Sequence, residues 1–205
     1  SVPSEIFKAY DVRGLADEQI TPEVAHAIGR AFAHVIAKLA EKPVDEVHIG
    51  LGRDMRLTAP TLARAYRDGI VREGASVLDI GQVGTEMLYW TVGSRGLDGG
   101  LMCTASHNPK AYTGAKLVER GALALSGDRG IQDIRRLAQD EAFLAGGPAA
   151  TPGAVTEEDV YAAFQAAALA FIDPAKVRPL KVVVDGGNGM AGPMVGPVLE
   201  RLGLD

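Results

Sequence analysis

The sequence predicts an α/β fold. Runs with helical spacing alternate with short apolar runs closed by glycine, and a Gly/Pro-rich linker precedes a second set of such elements. Thr21-Pro22-Glu23 reads as a cap with proline at the first helical position. Val24, Ala27, Ile28, Ala31, Val35 and Leu39 then recur on one helical face. Val47 to Gly52 is short, apolar and ended by glycine, as a buried strand would be. A second helix follows Thr58, with Leu62, Ala65, Tyr66, Gly69 and Ile70 on one side. Ser76 to Ile80 is expected to be the next strand and Gly99 to Thr104 another. Between them Thr85 to Arg95 is expected to be a helix, capped by Thr85 and stopped by Gly96.

Ala115 to Val118 and Ala122 to Leu125 read as two short strands turning at Glu119-Arg120-Gly121, and Gly130 to Leu144 as one helix. Gly146 to Gly153 is the linker. Beyond it Thr156 is expected to cap a helix running to about Phe171. Leu180 to Val184 should form a buried strand, and Asp185-Gly186-Gly187-Asn188-Gly189 should turn into a last helix. One strand and two helices cannot cover a parallel sheet on both faces. The expectation is therefore one domain over residues 1–148, then a linker and the truncated start of a second α/β domain over 149–205.

Composition narrows the function. A chain of 205 residues that is 47% hydrophobic is ordinary for a soluble globular protein. Aromatic residues make up only 5%, so no base-stacking surface or aromatic sugar platform is advertised. A net charge of −5 speaks against nucleic acid, which needs clustered cations, but not against phosphate ligands, which need a few well-placed ones. The single cysteine, Cys103, permits no intrachain disulfide and points to the cytoplasm; inside an apolar run it reads as a small buried hydrophobe. No apolar run approaches the roughly 18 residues of a membrane span, and Ser1 to Glu5 shows no secretory signal. His26 and His34 lack a metal-like partner at helical spacing, and His48 at a strand start has none in sequence. The Asp185 turn lacks the G-x-G-x-x-G spacing of a dinucleotide site.

The chemistry concentrates at Thr104-Ala105-Ser106-His107-Asn108-Pro109, directly after a strand, with Gly114-Ala115-Lys116 shortly beyond. Pro109 biases Asn108 away from helix, so the segment is a loop at the end of a strand, where α/β sheets place catalytic groups. A serine hydroxyl needs a base, a cation or a metal to act as a nucleophile, and His107 and Lys116 stand nearby. From these residues alone, a polar turn whose serine caps a backbone amide is an equal reading.

The Ser-His-Asn-Pro loop, followed by Tyr112-Thr113-Gly114-Ala115-Lys116, resembles the active-site serine loop of the α-D-phosphohexomutases. Three further segments resemble family signatures in the same order: Tyr10-Asp11-Val12-Arg13-Gly14, Gly52-Arg53-Asp54-Met55-Arg56, and Asp185 to Gly189. The Tyr10-Asp11 opening is similar to the phosphomannomutase/phosphoglucomutase branch; the Gly-Thr-Asp-Gly opening usual in the phosphoglucosamine branch is absent.

The resemblance implies a mixed sheet flanked by helices, followed by the beginning of a similar α/β domain. It implies an enzyme that moves phosphate between O1 and O6 of mannose or glucose, through a phosphoserine and a bisphosphorylated intermediate. Ser106 would carry the phosphoryl group and give one oxygen to Mg²⁺, with hexose 1,6-bisphosphate as activator. Lys116 and Arg13 would be the cations beside the phosphate, and Tyr10 and His107 hydrogen-bonding or proton-transfer partners. Arg53, Asp54 and Asn108 would support the loops, Arg53 and Asp54 through an ion pair or backbone contacts. The family's acidic metal loop, sugar-selecting loop and C-terminal phosphate-binding domain would lie past Asp205, so these residues alone are expected to be inactive. The partner implied is a small phosphosugar, with no nucleic acid and no membrane. The competing reading is a non-catalytic fragment or binding module.

Overall fold

Residues 1–204 are described by the structure, a computed structural model. Strand β1 (Asp11–Leu15) is followed by α1 (Pro22–Ala40), which starts where Thr21 Oγ1 accepts the Val24 N–H at 3.4 Å. Next come β2 (His48–Arg53), α2 (Ala59–Arg72), β3 (Ser76–Gln82), α3 (Thr85–Ser94), β4 (Gly99–Cys103) and β5 (Tyr112–Glu119). The short β6 (Leu123–Ala124) folds back on β5 after Gly121 takes a φ of +75°. Then follow α4 (Ile131–Gln139), α5 (Glu141–Ala145), β7 (Val155–Glu157), α6 (Tyr161–Leu169) and α7 (Ala191–Arg201).

The sheet runs β1-β5-β4-β2-β3-β7, with β6 added to β5. Strands β4, β2, β3 and β7 are parallel, while β5 lies antiparallel to both β4 and β1. The sheet is therefore mixed, and side-chain alternation gives it two buried faces. Val12, Ile49, Leu51, Leu101, Ala115 and Leu117 pack against α1, α2 and α4. Ile80, Met102 and Val118 meet Met87, Leu88 and Val92 of α3 on the other side. Each fully buried Val, Leu, Ile or Met among them contributes about 1.5–3 kcal/mol. Helices α1 and α2 touch through glycine: a Cβ on Gly29 would lie 2.2 Å from Tyr66 O, and one on Gly69 would lie 2.2 Å from His26 O.

The structure corrects several element expectations. Strand β1, in which only Val12 and Gly14 are buried, next to charged Asp11 and Arg13, has no period that the sequence would show. The helix expected over Gly130 to Leu144 breaks at Asp140, whose ψ of 108° leaves the helix and whose carboxylate then caps the Ala142 and Phe143 amides. Thr156 is no helix cap; it lies in β7, with Leu78 as its partner in β3, and α6 begins only at Tyr161. Thr85 does not cap α3, since Gly84 holds that position without a side-chain bond. Leu180 to Val184 form no strand and stand exposed, Val183 at 93%, because no strand among the described residues pairs with them.

The linker lies along the end of α2, where Ala149 N–H bonds Arg72 O at 2.9 Å and Gly153 N–H bonds Val71 O at 2.8 Å. Helices α6 and α7 join through Gln165, whose Nε2 donates to Pro193 O at 3.0 Å. Among the described residues no helix is long and apolar enough to cross a membrane.

Candidate active site

From β2 the chain crosses to β3 through α2 on one face, then returns past β2 to β4 through α3 on the other. The connections diverge at the carboxyl ends of β2 and β4, and a crevice opens there in open α/β sheets. The loops after these two strands, which begin at Asp54 and Thr104, meet in it. Asp54 N–H continues the ladder to Cys103 O at 3.1 Å, and Thr104 N–H to Gly114 O at 3.0 Å.

Ser106 occupies the turn of the second loop in the left-handed region, φ +52°, an unusual place for a residue with a Cβ. Its N–H bonds Thr104 Oγ1 at 2.9 Å, and Asn108 closes the turn by donating its N–H (3.0 Å) and Nδ2 (3.1 Å) to Ala105 O. The Ser106 hydroxyl oxygen is itself buried with no hydrogen-bond partner. On the adjoining strands, the β1–β5 register sets Lys116 opposite Asp11 and Gly114 opposite Arg13, so both cations project from the same face. A Cβ on Gly114 would lie 1.9 Å from Val12 O, so only glycine lets β1 come this close. Arg13 pairs with Asp11 at 2.5 Å, while its Nε is buried without a partner. Ser106, His107, Asn108, Arg13 and Lys116 all line one cleft of about 1350 Å³.

This geometry coincides with a family match. Residues 4–145 match the family described as "Phosphoglucomutase/phosphomannomutase, alpha/beta/alpha domain I". The chain belongs to the phosphoglucomutase/phosphomannomutase family. It is 41% identical over 196 residues to a phosphomannomutase of Salmonella montevideo, covering 96% of this chain and 41% of that protein. Similarity to a phosphoglucomutase of Neisseria gonorrhoeae is 37% over 203 residues, covering 99% and 42%. An X-ray structure of a phosphoglucomutase/phosphomannomutase family protein from Burkholderia thailandensis superposes with a TM-score of 0.87 at 34% identity, covering 100% of this chain and 43% of that one. The chain thus spans about two fifths of the length of these relatives.

Not every expected residue reaches the serine cleft. Tyr10 is 69% exposed and is not among the lining residues. Arg53 does not pair with Asp54; it lines a separate hollow of about 450 Å³ with Asp79, Glu157 and Asp159. The partner of Asp54 is Arg56, with Nε 3.4 Å from Oδ2, and Asp54 also accepts from Thr104 Oγ1 at 2.7 Å and from Arg56 N–H at 3.0 Å. Arg56 stands inside the Gly52-Arg53-Asp54-Met55-Arg56 motif, and nothing in the sequence alone gives it a role. Gly186 to Gly189, about 80 positions further along the chain, line the same cleft, which no local signal in the sequence shows.

Cys103 is buried, and its thiol is pushed up to about 12, first by burial and then by the nearby Asp54 carboxylate. It stays protonated and inert as a nucleophile. His34 bonds Glu73 at 2.8 Å, where the carboxylate also takes buried Arg30 at 2.5 Å; neither histidine nor arginine reaches the cleft.

Proposed function

We propose that Ser106 carries a phosphoryl group in a phosphohexomutase reaction interconverting hexose 1-phosphate and hexose 6-phosphate, of mannose, glucose or both. The observation that supports this reading is the orphaned Ser106 hydroxyl in a cleft bordered by Arg13 and Lys116. Phosphoryl transfer asks little covalent chemistry of a protein; it asks for alignment and for cations around the transferring group. In the forward half-reaction a sugar hydroxyl oxygen attacks phosphorus, the bond from phosphorus to Ser106 Oγ breaks, and the hydroxyl proton is passed on so that Oγ leaves protonated. The bisphosphorylated sugar turns over, and Ser106 Oγ then takes the phosphoryl group from the other end. His107 is the imidazole lining the cleft and is assigned the proton relay. Hexose 1,6-bisphosphate is assigned as the agent that charges the serine, and the cytoplasm as the compartment.

The residues present do not make a complete Mg²⁺ site. Magnesium wants near-octahedral oxygen ligands, usually including carboxylates. Ser106 Oγ is the one oxygen assigned to it here: Asp54 is engaged by Thr104 and Arg56, and Glu86 is the only other carboxylate among the described residues lining the cleft. Among the described residues no three His, Cys, Asp or Glu side chains gather as a metal-binding group. The remaining ligands are assigned to the part of the family's longer proteins that this chain does not span.

The test is Ser106→Ala in the full-length polypeptide, assayed by coupled turnover of hexose 1-phosphate with Mg²⁺ and the bisphosphate. Turnover is expected to fall by about 10³-fold or more, with the melting temperature little changed, because the covalent route is lost while a loop side chain shrinks by one oxygen. Turnover near that of the unaltered protein would move the phosphoryl group to another residue.

A further inference from the structure

We infer that Arg56 is a positioning residue for Ser106, clamping the serine loop in the backbone shape that presents the hydroxyl to the cleft. This rests on the phosphoryl-carrying role proposed for Ser106. A guanidinium has five N–H donors in a fixed plane, two on each terminal nitrogen and one on Nε. Arg56 uses the terminal four on the main chain of one loop. One terminal nitrogen donates to Pro109 O at 3.0 Å and Tyr112 O at 3.1 Å, the other to Ser106 O at 3.1 Å and Asn108 O at 2.7 Å. The side chain is only 10% exposed, and its Nε, which makes no hydrogen bond, lies 3.4 Å from Asp54 Oδ2 as an ion pair.

Arg56 borders the cleft, yet its terminal donors are all occupied by carbonyls. It is therefore a brace and not a phosphate ligand. Asp54 completes the brace from the other side. Its carboxylate neutralises Arg56 and accepts from Thr104 Oγ1, and that oxygen in turn accepts the Ser106 N–H. Ser106 is thus gripped at its amide through Thr104 and Asp54 and at its carbonyl through Arg56. Both grips start from the segment after β2, about 50 positions away. A residue held at φ +52° with a buried, unpartnered hydroxyl persists only where its surroundings fix it. Lysine could not replace the brace, because one ammonium cannot span four carbonyls.

The experiment uses the full-length polypeptide with Arg56→Lys and Arg56→Ala, read by kcat and KM, by hydrogen exchange across residues 105–112, and by addition of free guanidinium. Arg56→Lys is expected to lower kcat by about 100-fold with KM changed less than about threefold, as a misplaced reacting group does. Exchange should quicken within 105–112 and stay unchanged in the sheet, and guanidinium should restore part of the Arg56→Ala activity. A kcat within threefold of the unaltered protein would overturn the inference. So would a loss accompanied by faster exchange throughout the sheet and no rescue, since that marks a merely structural residue. Full turnover by Ser106→Ala would instead overturn the phosphoryl-carrier reading, and loop exchange reports on the clamp whatever the turnover.

Discussion

Residues 99–103 and 180–184 are two five-residue runs with opposite fates. The first, Gly-Gly-Leu-Met-Cys, contains two glycines and no β-branched residue; the second, Leu-Lys-Val-Val-Val, has three valines in a row. By intrinsic preference the second is the better strand. Yet the first is β4, buried along its whole length and paired with β2 and β5, whereas the second has no ladder and leaves Val183 93% exposed. A strand is decided by what lies beside it, and composition only makes it possible.

One charge placed in each run separates the two surroundings most strongly. Leu101 is fully buried between Leu51 and Leu117 in register, so Leu101→Asp puts an unpaired carboxylate in an apolar layer. A loss exceeding about 4 kcal/mol is expected, enough to abolish the cooperative melt. Val183→Asp, at a solvated position, should change stability by less than about 0.5 kcal/mol. Equal effects in urea denaturation would show that residues 180–184 are packed in solution.

The same distinction explains how far the sequence could be read. Helix α1 and strands β2 and β4 were legible because their apolar faces and glycine stops are local signals. The α/β class and the serine loop followed from them. Strand β1 was not legible, because Arg13 lines the cleft, Asp11 pairs with it, and the two leave too few apolar residues to show a period. Thr156 reads as a cap from its neighbours, but β3 offers an open edge, and pairing with it overrides local preference. At the site, the resemblance picked out Ser106, His107, Asn108, Arg13 and Lys116, and the structure gathers them in one cleft. Tyr10 lies next to a lining strand without lining the cleft itself. The role of Arg56 was hidden because its partners are main-chain carbonyls, which every sequence has and only a fold can aim.

A second difference between the runs is the anchor at the start of β4. Asp98, 1% exposed, accepts from Lys42 Nζ at 2.9 Å, from the His48 N–H at 3.0 Å and from Arg120. Burial alone would raise its carboxyl, but the bonds from Lys42, His48 and Arg120 outweigh burial and hold it below the usual aspartate range. A carboxyl lowered by folding stabilises the native state above its unfolded value, and that contribution is lost as pH falls through the folded value. Asp98→Asn is therefore expected to cost about 1.5–3 kcal/mol near neutral pH. The gap from the unaltered protein should narrow as pH drops below about 4, where the unaltered protein loses the same charge. Urea midpoints of both proteins at neutral and acid pH test this, and a gap independent of pH would remove Asp98 as the anchor.

Glycine offers a finer version of the comparison, since one substitution can be made in two surroundings. Gly69→Ala in α2 would set a methyl 2.2 Å from His26 O, forcing α1 and α2 apart, and a loss of about 1–3 kcal/mol is expected.

Gly93→Ala in α3 should have the smallest effect and the opposite sign. A Cβ there would meet nothing within 4 Å, and the position is not one of the glycines at positive φ. No contact is lost and none is strained, so the change acts through the unfolded chain, which has fewer conformations to give up once glycine is replaced. Because Gly93 lies in the last turn of α3, where helices fray, the gain should sit near the low end of the usual range, about 0.5 kcal/mol. The measurement is the difference in urea midpoint at unchanged slope, made beside Gly69→Ala in the same buffer. If both alanines destabilise alike, the close approach of α1 and α2 is not what requires glycine at position 69, and the rule drawn from the two strand-like runs does not extend to helices.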